Sequence, residues 1–91
     1  MERTIKALDD PSRRKILEIL KKGPLSVGEI LVQLDITGAT LSHHLKILRD
    51  AELVSCKRDG NSMIYEINTS VVEGIIAWLI QFSDKGDQDE K

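Results

Sequence analysis

The sequence contains little of what defines secreted, membrane-spanning or disulfide-built proteins. Its single cysteine, Cys56, excludes an internal disulfide and any metal cage built from several cysteines. Its longest apolar runs, such as IIAWLI, fall far short of the roughly 20 residues that span a bilayer. The first residues, MERTIKALDD, lack the apolar segment of a signal peptide. We therefore expect a cytoplasmic protein without membrane insertion.

Features of enzymes are also missing. The chain has no glycine-rich phosphate loop and no paired carboxylates that would line a pocket. No serine, cysteine or carboxylate lies at a spacing from His43 that indicates an activated nucleophile. We therefore expect a protein that is not an enzyme and that needs no cofactor.

Charge is unevenly distributed along the chain. The 13 basic and 15 acidic residues give a net charge of −2. Residues 84–91, DKGDQDEK, hold four acids and two bases, so residues 1–83 keep eleven of each sign and are neutral. The acidic tail has no apolar residue to bury, and we expect it to be disordered. Residues 1–83 are long enough for one modest core and are interpreted as one domain.

The first half of the chain predicts helices with clear start and stop signals. Residues 2–8 form a short amphipathic helix. Asp10 followed by Pro11 is typical of a new helix start, and Gly23-Pro24 ends that helix.

A helix-turn-helix follows. Ser26 and Glu29 have the spacing of a capping box for a third helix over 26–34. Thr37 is placed to cap a fourth helix that runs to about Ala51, and the tight turn between these helices is typical of the motif.

A change of period after residue 52 predicts a β-hairpin. Asp59-Gly60 is a two-residue turn signal, and this turn would pair Cys56 with Met63 and Val54 with Tyr65. The exposed tip would then carry Lys57, Arg58, Asn61 and Ser62. The predicted fold is mainly α with a β-hairpin wing, a winged helix-turn-helix of about five helices and a two-stranded antiparallel wing.

The last helix, roughly 70–83, is apolar around too much of its circumference for a single domain. Its apolar arc covers about 200°, whereas packing on one domain needs about 100°. A homodimer through the first and last helices is the simplest explanation, and a more enclosed core is the alternative. The predicted interface comprises Ile5, Leu8, Val71, Val72, Ile75, Ile76, Trp78, Leu79 and Phe82.

The fourth helix is predicted to enter the major groove of DNA, with the wing reaching the adjacent backbone. Leu41, Leu45 and Leu48 cluster on one side of its helical wheel. Small residues and hydrogen-bond donors occupy the other side, which an ordinary solvated face would not require: Gly38, Ala39, Ser42, His43, Lys46 and Arg49. Serine and histidine can bond base edges, while lysine and arginine can neutralise phosphate.

The two adjacent histidines have different predicted roles. Neighbouring helical residues do not face one point, so His43 and His44 cannot chelate one metal. His43 lies in the polar arc and is a candidate DNA contact. His44 turns toward Ile47 and Leu48 and is interpreted as a packed, hydrogen-bonded side chain. Cys56 is expected on the core side of the wing, as a small buried hydrophobe.

Residues 5–67 resemble the ArsR-type winged-helix transcriptional repressors. The resemblance is carried by DPSRRKILEIL, LSVGEI and SHHLKILRDAELVSCKRDGNSMIYEI. It implies a homodimer that binds an inverted-repeat operator on double-stranded DNA and blocks transcription. By position it assigns the wing arginine to Arg58 and the recognition region to Thr37, Ala39, Thr40, Ser42 and His43.

Residues 68–83 resemble, less sharply, a small metal-independent subgroup of this family. Arsenic-, cadmium- and lead-sensing members have Cys-x-Cys in the third helix, where this chain has Ser26 and Gly28. Zinc and nickel sensors place aspartate and histidine ligands on the last helix, which has no histidine in this chain. The resemblance therefore implies that both metal sites are absent.

Two alternatives remain open. The apolar last helix could make the domain a protein-interaction module that binds a partner chain or a membrane surface, or Cys56 could make the protein a redox-responsive regulator. A protein effector is a further candidate partner. The pattern leaves the operator and the inducing signal open.

Overall fold

The computed structural model describes residues 2–83, which form five helices and three strands. The elements in chain order are α1 Glu2–Leu8, α2 Pro11–Leu20, β1 Leu25–Ser26, α3 Val27–Leu31, α4 Gly38–Asp50, β2 Val54–Asp59, β3 Ser62–Ile67 and α5 Thr69–Ser83. This arrangement confirms the predicted winged helix-turn-helix. The acidic tail predicted for 84–91 lies outside the described residues.

The predicted helix starts are confirmed by their hydrogen bonds. The Asp10 carboxylate accepts the N–H groups of Ser12 and Arg13 at 2.8 and 3.2 Å, and Pro11 is the first residue of α2. In α3, Ser26 Oγ accepts the Glu29 N–H at 3.1 Å while Glu29 Oε1 accepts the Ser26 N–H at 2.8 Å. Side chains thus satisfy backbone donors that a helix start leaves unpaired.

Helix α3 is shorter than predicted, because it ends at Leu31 rather than at residue 34. The N–H groups of Gln33 and Leu34 bond the carbonyls of Ile30 and Leu31, three residues back. Such bonds tighten the chain into turns at a helix end. Leu34 and Ile36 still pack against the core, so the apolar pattern continued beyond the helix.

The sheet has a third strand that the sequence pattern did not predict. Its order is β1-β3-β2, and β1 pairs antiparallel with β3 through Leu25 with Tyr65 and Ser26 with Ile64. The predicted two-stranded wing, β2 with β3, is confirmed, and β1 extends it to a three-stranded sheet. A two-residue strand is too short to display an alternating pattern.

The predicted register of the hairpin is wrong: the pairing of β2 with β3 is shifted by two residues from the prediction. Cys56 pairs with Tyr65 and Val54 with Ile67, so the loop residues are Gly60 and Asn61 instead of Asp59 and Gly60. Gly60 has a φ of +64° and Asn61 does not have a positive φ, a combination that fits a type II′ turn with glycine first. A shift of two residues leaves every side chain on its predicted face.

The core lies where α2, α3 and α4 meet the sheet. Its fully buried large side chains are Ile16, Leu20, Ile30, Leu41, Leu45, Leu48 and Leu53. The buried leucines of α4 fix which of its faces points outward, and this orients the candidate site.

Candidate nucleic-acid interface

The first turn of α4 is held by its capping residue. Thr37 Oγ1 accepts the Thr40 N–H at 3.1 Å and lies 3.0 Å from Thr40 Oγ1. The Thr37 hydroxyl is therefore engaged within the turn, and Gly38 and Ala39 beside it are exposed. With these small side chains, the start of α4 presents little bulk to a ligand.

The remainder of α4 has one buried and one exposed face. Leu41, His44, Leu45 and Leu48 are buried. All eight predicted DNA-contact residues on or next to this helix are exposed: Thr37, Gly38, Ala39, Thr40, Ser42, His43, Lys46 and Arg49. The structure therefore leaves this whole set accessible.

The two cations of this face have partners within the chain. Lys46 Nζ lies 3.0 Å from Asp50 Oδ2, and both side chains are largely exposed, so water screens this pair and it adds little stability. Arg49 Nη1 lies 3.9 Å from Cys56 Sγ. A hydrogen bond with Tyr65 raises the pKa of Arg49 above its usual value. Arg49 thus ties the end of α4 to the wing.

The wing exposes Lys57, Arg58 and Asn61 near its tip. Lys57 pairs with Ile64 and Arg58 with Met63 across the strands. Because alternate residues of a strand point to opposite faces, the two cations diverge. Arg58 shares a face with Cys56, toward α4, whereas Lys57 points away from it.

The two histidines separate as predicted. His43 is exposed, whereas His44 is 8% exposed and its Nδ1 lies 3.2 Å from Arg13 Nη1. The interpretation of His44 as a packed, hydrogen-bonded residue is confirmed.

Its partner, Arg13, was not singled out from the sequence. Arg13 is 9% exposed, and its Nε donates to the Ala7 carbonyl at 2.8 Å. The sequence does carry a signal for this, because Arg13 precedes Ile16 and Leu20 by three and seven residues and so lies on the apolar stripe of α2.

Cys56 packs against the core and is only half-buried, so the expectation of a core-side thiol holds while full burial does not. Within residues 2–83, no group of three histidine, cysteine or acidic side chains could hold a metal ion.

The predicted dimer surface is divided between the domain core and solvent. Leu8, Val71, Val72 and Ile75 pack partly against the core. Ile5 and the carboxyl-terminal half of α5 remain exposed, with exposed fractions of 59% for Ile5, 50% for Ile76, 43% for Trp78, 52% for Leu79, 56% for Ile80 and 65% for Phe82. The more enclosed core considered as an alternative is therefore not what the described residues form. Among residues 2–83, no helix is long and apolar enough to cross a membrane.

A capped helix with an exposed polar face, preceded by a tight turn and followed by a wing, defines a winged helix-turn-helix protein. Residues 10–55 match the family model for bacterial regulatory proteins of the arsR family. The chain is 43% identical to the transcriptional repressor SdpR of Bacillus subtilis, over 98% of this chain and 99% of that one. It is 40% identical to an arsenical resistance operon repressor of Staphylococcus aureus, over 79% and 69% of the two chains. The chain belongs to the arsR family of bacterial regulatory proteins.

Solved structures agree with this assignment. The crystal structure of an ArsR family transcriptional regulator superposes with a TM-score of 0.82 at 25% identity, over 91% of both chains. The solution structure of a homodimeric winged helix-turn-helix DNA-binding domain from Mycobacterium bovis superposes with a TM-score of 0.75 at 28% identity, over 92% of this chain and 78% of that one.

Proposed function

We propose that the protein is a cytoplasmic, homodimeric transcriptional repressor that binds a near-palindromic operator on double-stranded DNA. The observation that carries this proposal is the exposed face of α4, in which small residues and donors lie opposite a buried leucine stripe. The similarity to a transcriptional repressor over nearly the whole chain supports it.

In this proposal, the amino-terminal half of α4 reads bases and the cations hold the backbone. Ser42 and His43 bond base edges, and Thr40 contributes a hydroxyl beside them. Gly38 and Ala39 allow the close approach, while Thr37 shapes the turn through its cap. Phosphate contacts come from Lys46, Arg49, Lys57 and Arg58, with Asn61 at the wing tip.

The second copy packs against α1 and α5. Five large apolar side chains of α5 are exposed in the single chain, and burying them would stabilise a dimer. The M. bovis domain that superposes on this chain is homodimeric. Two recognition helices related by a two-fold axis would read half-sites about 34 Å apart, which is one turn of DNA.

Selection of bound duplexes from a randomised library, followed by sedimentation of the complex, tests the proposal. We expect an enriched near-palindrome bound by two copies, with affinity that falls steeply as salt rises, because phosphate contacts release counterions. Recovery of no enriched sequence would overturn the proposal.

We further propose that DNA binding is independent of metal, since Ser26 and Gly28 stand where arsenic-sensing relatives have cysteines. Addition of zinc or arsenite should leave the affinity for the selected duplex unchanged, and release of the duplex by either would contradict this.

A protein-interaction module is the second candidate, and the exposed edge-to-face pair of Trp78 and Phe82, with ring centroids 4.9 Å apart, favours it. If the pure protein sediments as a monomer, the result supports the interaction module; if it sediments as a stable dimer, the result supports the repressor.

A redox-responsive regulator would depend on Cys56. In that case, Cys56→Ser should abolish any effect of peroxide on DNA binding.

A further inference from the structure

Arg13 joins three helices at one buried point. Its Nε and Nη2 donate to the carbonyls of Ala7 and Lys6 at 2.8 and 3.1 Å, in the last turn of α1. Its Nη1 lies 3.2 Å from His44 Nδ1 on α4. A single guanidinium on α2 thus connects the end of α1 to the buried side of the candidate recognition helix.

The contact between Arg13 and His44 requires a neutral imidazole. A guanidinium has only donors, so His44 Nδ1 must accept and the ring proton must lie on Nε2. A protonated His44 would direct an N–H and a positive charge at Arg13. Protonation therefore removes the hydrogen bond and replaces it with repulsion.

The charged groups around His44 come from the three helices that meet there. Asp10, at the start of α2, has its Oδ2 4.0 Å from Arg13 Nη1. His43 lies on α4 with its ring centroid 5.8 Å from that of His44, and α1 contributes Lys6, whose carbonyl accepts from Arg13. Burial lowers the pKa of His44 below its ordinary 6.5; Asp10 opposes this, and Arg13 and His43 add to it.

We infer that Arg13 and His44 form a proton-sensitive joint that sets α4 relative to α1, so that acidification releases DNA. This inference rests on the proposed function. In that function, Ile5 of α1 lies in the seam, which is the interface between the two copies, and Ser42 and His43 of α4 contact the bases. The joint thus lies between the dimer contact and the reading face. A shift of one helix against the other changes the separation of the two recognition helices, which must match one turn of DNA. Arg13 and His44 act as positioning residues.

His44→Asn separates this role from simple packing. The Oδ1 of an asparagine branches from Cγ as Nδ1 does, accepts a hydrogen bond from Arg13 and does not titrate. The probe is the duplex selected by the wild-type protein at pH 8. We expect the wild-type Kd for it to rise as the pH is lowered toward 5, by up to about tenfold per pH unit for each of two protons. His44→Asn should bind at pH 8 and lose most of this dependence.

His43→Gln is the matched control. His43 is exposed, and its replacement leaves the contact of Arg13 with His44 in place. Relative to its own value at pH 8, the Kd of this variant should rise on acidification by the same factor as that of the wild-type protein. A Kd that varies with pH in the same way in wild type and in His44→Asn would overturn the inference.

An NMR pH titration of the wild-type protein tests, without DNA, whether protonation of His44 affects Arg13 and α1. The Arg13 Nε–H resonance and the amides at the end of α1 should shift with the same midpoint as the His44 ring. If they do not move with His44, the joint is overturned, even if the asparagine variant fails to fold. If no duplex is selected at pH 8, the proposed function and DNA release both fail, while the titration still judges the joint.

Discussion

The Leu53 N–H donates to the Leu48 carbonyl at 3.0 Å, and this bond ends α4 where the chain turns toward β2. A second bond joins the Glu52 N–H to the Arg49 carbonyl at 2.8 Å. Together they form the Schellman pattern, in which the residue after the helix end is left-handed. Glu52 occupies that position with a φ of +62°, where glycine would be free of strain.

Glu52→Gly should stabilise the protein. The left-handed conformation costs a residue other than glycine about 1–2 kcal/mol, and the greater freedom of glycine in the unfolded chain offsets about 0.5–1 kcal/mol of that. We expect the free energy of unfolding, measured with urea, to rise by about 0.5 kcal/mol. Glu52→Ala keeps the strained conformation and should give no such gain; equal effects of both variants would contradict this account.

Thr37→Ala should destabilise the start of α4. It removes the acceptor for the Thr40 N–H, and loss of such a cap costs about 1 kcal/mol. Urea unfolding should show this loss, whereas Thr37→Ser, which keeps the hydroxyl, should lie close to wild type. An alanine variant as stable as wild type would mean that the cap contributes nothing.

Ser42 and His43 should contribute to sequence-specific binding. Ser42→Ala and His43→Ala should each weaken binding to the selected duplex by about 1–3 kcal/mol while changing binding to random DNA little. Footprints unchanged in the double variant would show that the reading face lies elsewhere.

Arg58→Ala should weaken binding to selected and random duplexes alike. If each wing arginine neutralises one phosphate, a dimer loses two contacts and the slope of log Kd against log salt falls by about 2. Lys15→Ala is the matched control, because Lys15 is an exposed cation of α2 outside the proposed DNA contacts, and it should leave the salt slope unchanged. A salt slope that Arg58→Ala leaves unchanged would exclude a phosphate contact at this residue.

Local signals predicted most of the fold, and missed what depends on distant partners. Asp10, Ser26 and Thr37 were predictable caps because a cap depends on residues two or three positions away. The pairing of Leu25 with Tyr65 joins segments forty residues apart, and two residues carry no period. In the hairpin, either Asp59-Gly60 or Gly60-Asn61 could form the two-residue turn, and only the backbone angles distinguish these possibilities.

The same limit applies to the candidate site. The exposed face of α4 follows from its leucine spacing, and the structure agrees with it residue by residue. The contact of Arg13 with His44 spans thirty-one positions. The apolar stripe of α2 could have shown that Arg13 is buried, but not which group accepts its hydrogen bond.

Leu79→Glu should dissociate the proposed dimer without unfolding the domain. Leu79 is 52% exposed in the single chain, so packing of the second copy would bury about half of this side chain. Burying a whole leucine side chain contributes roughly 1.5–3 kcal/mol. The substitution is present twice in the dimer and also places a charge in the interface, so the dimer dissociation constant should rise at least about tenfold. Sedimentation equilibrium measures this constant, and circular dichroism checks that the helices remain.

Val32→Glu provides the control for a charge placed on an exposed apolar residue. Val32 is 83% exposed and lies just after α3, outside the proposed seam. It should therefore leave the dissociation constant unchanged. If Leu79→Glu left the dimer as stable as Val32→Glu does, the carboxyl-terminal half of α5 would not be the seam, and the second copy would have to pack elsewhere. Loss of the dimer in Leu79→Glu should also weaken binding to the two-half-site duplex far more than to a single half-site, because only the dimer engages both halves.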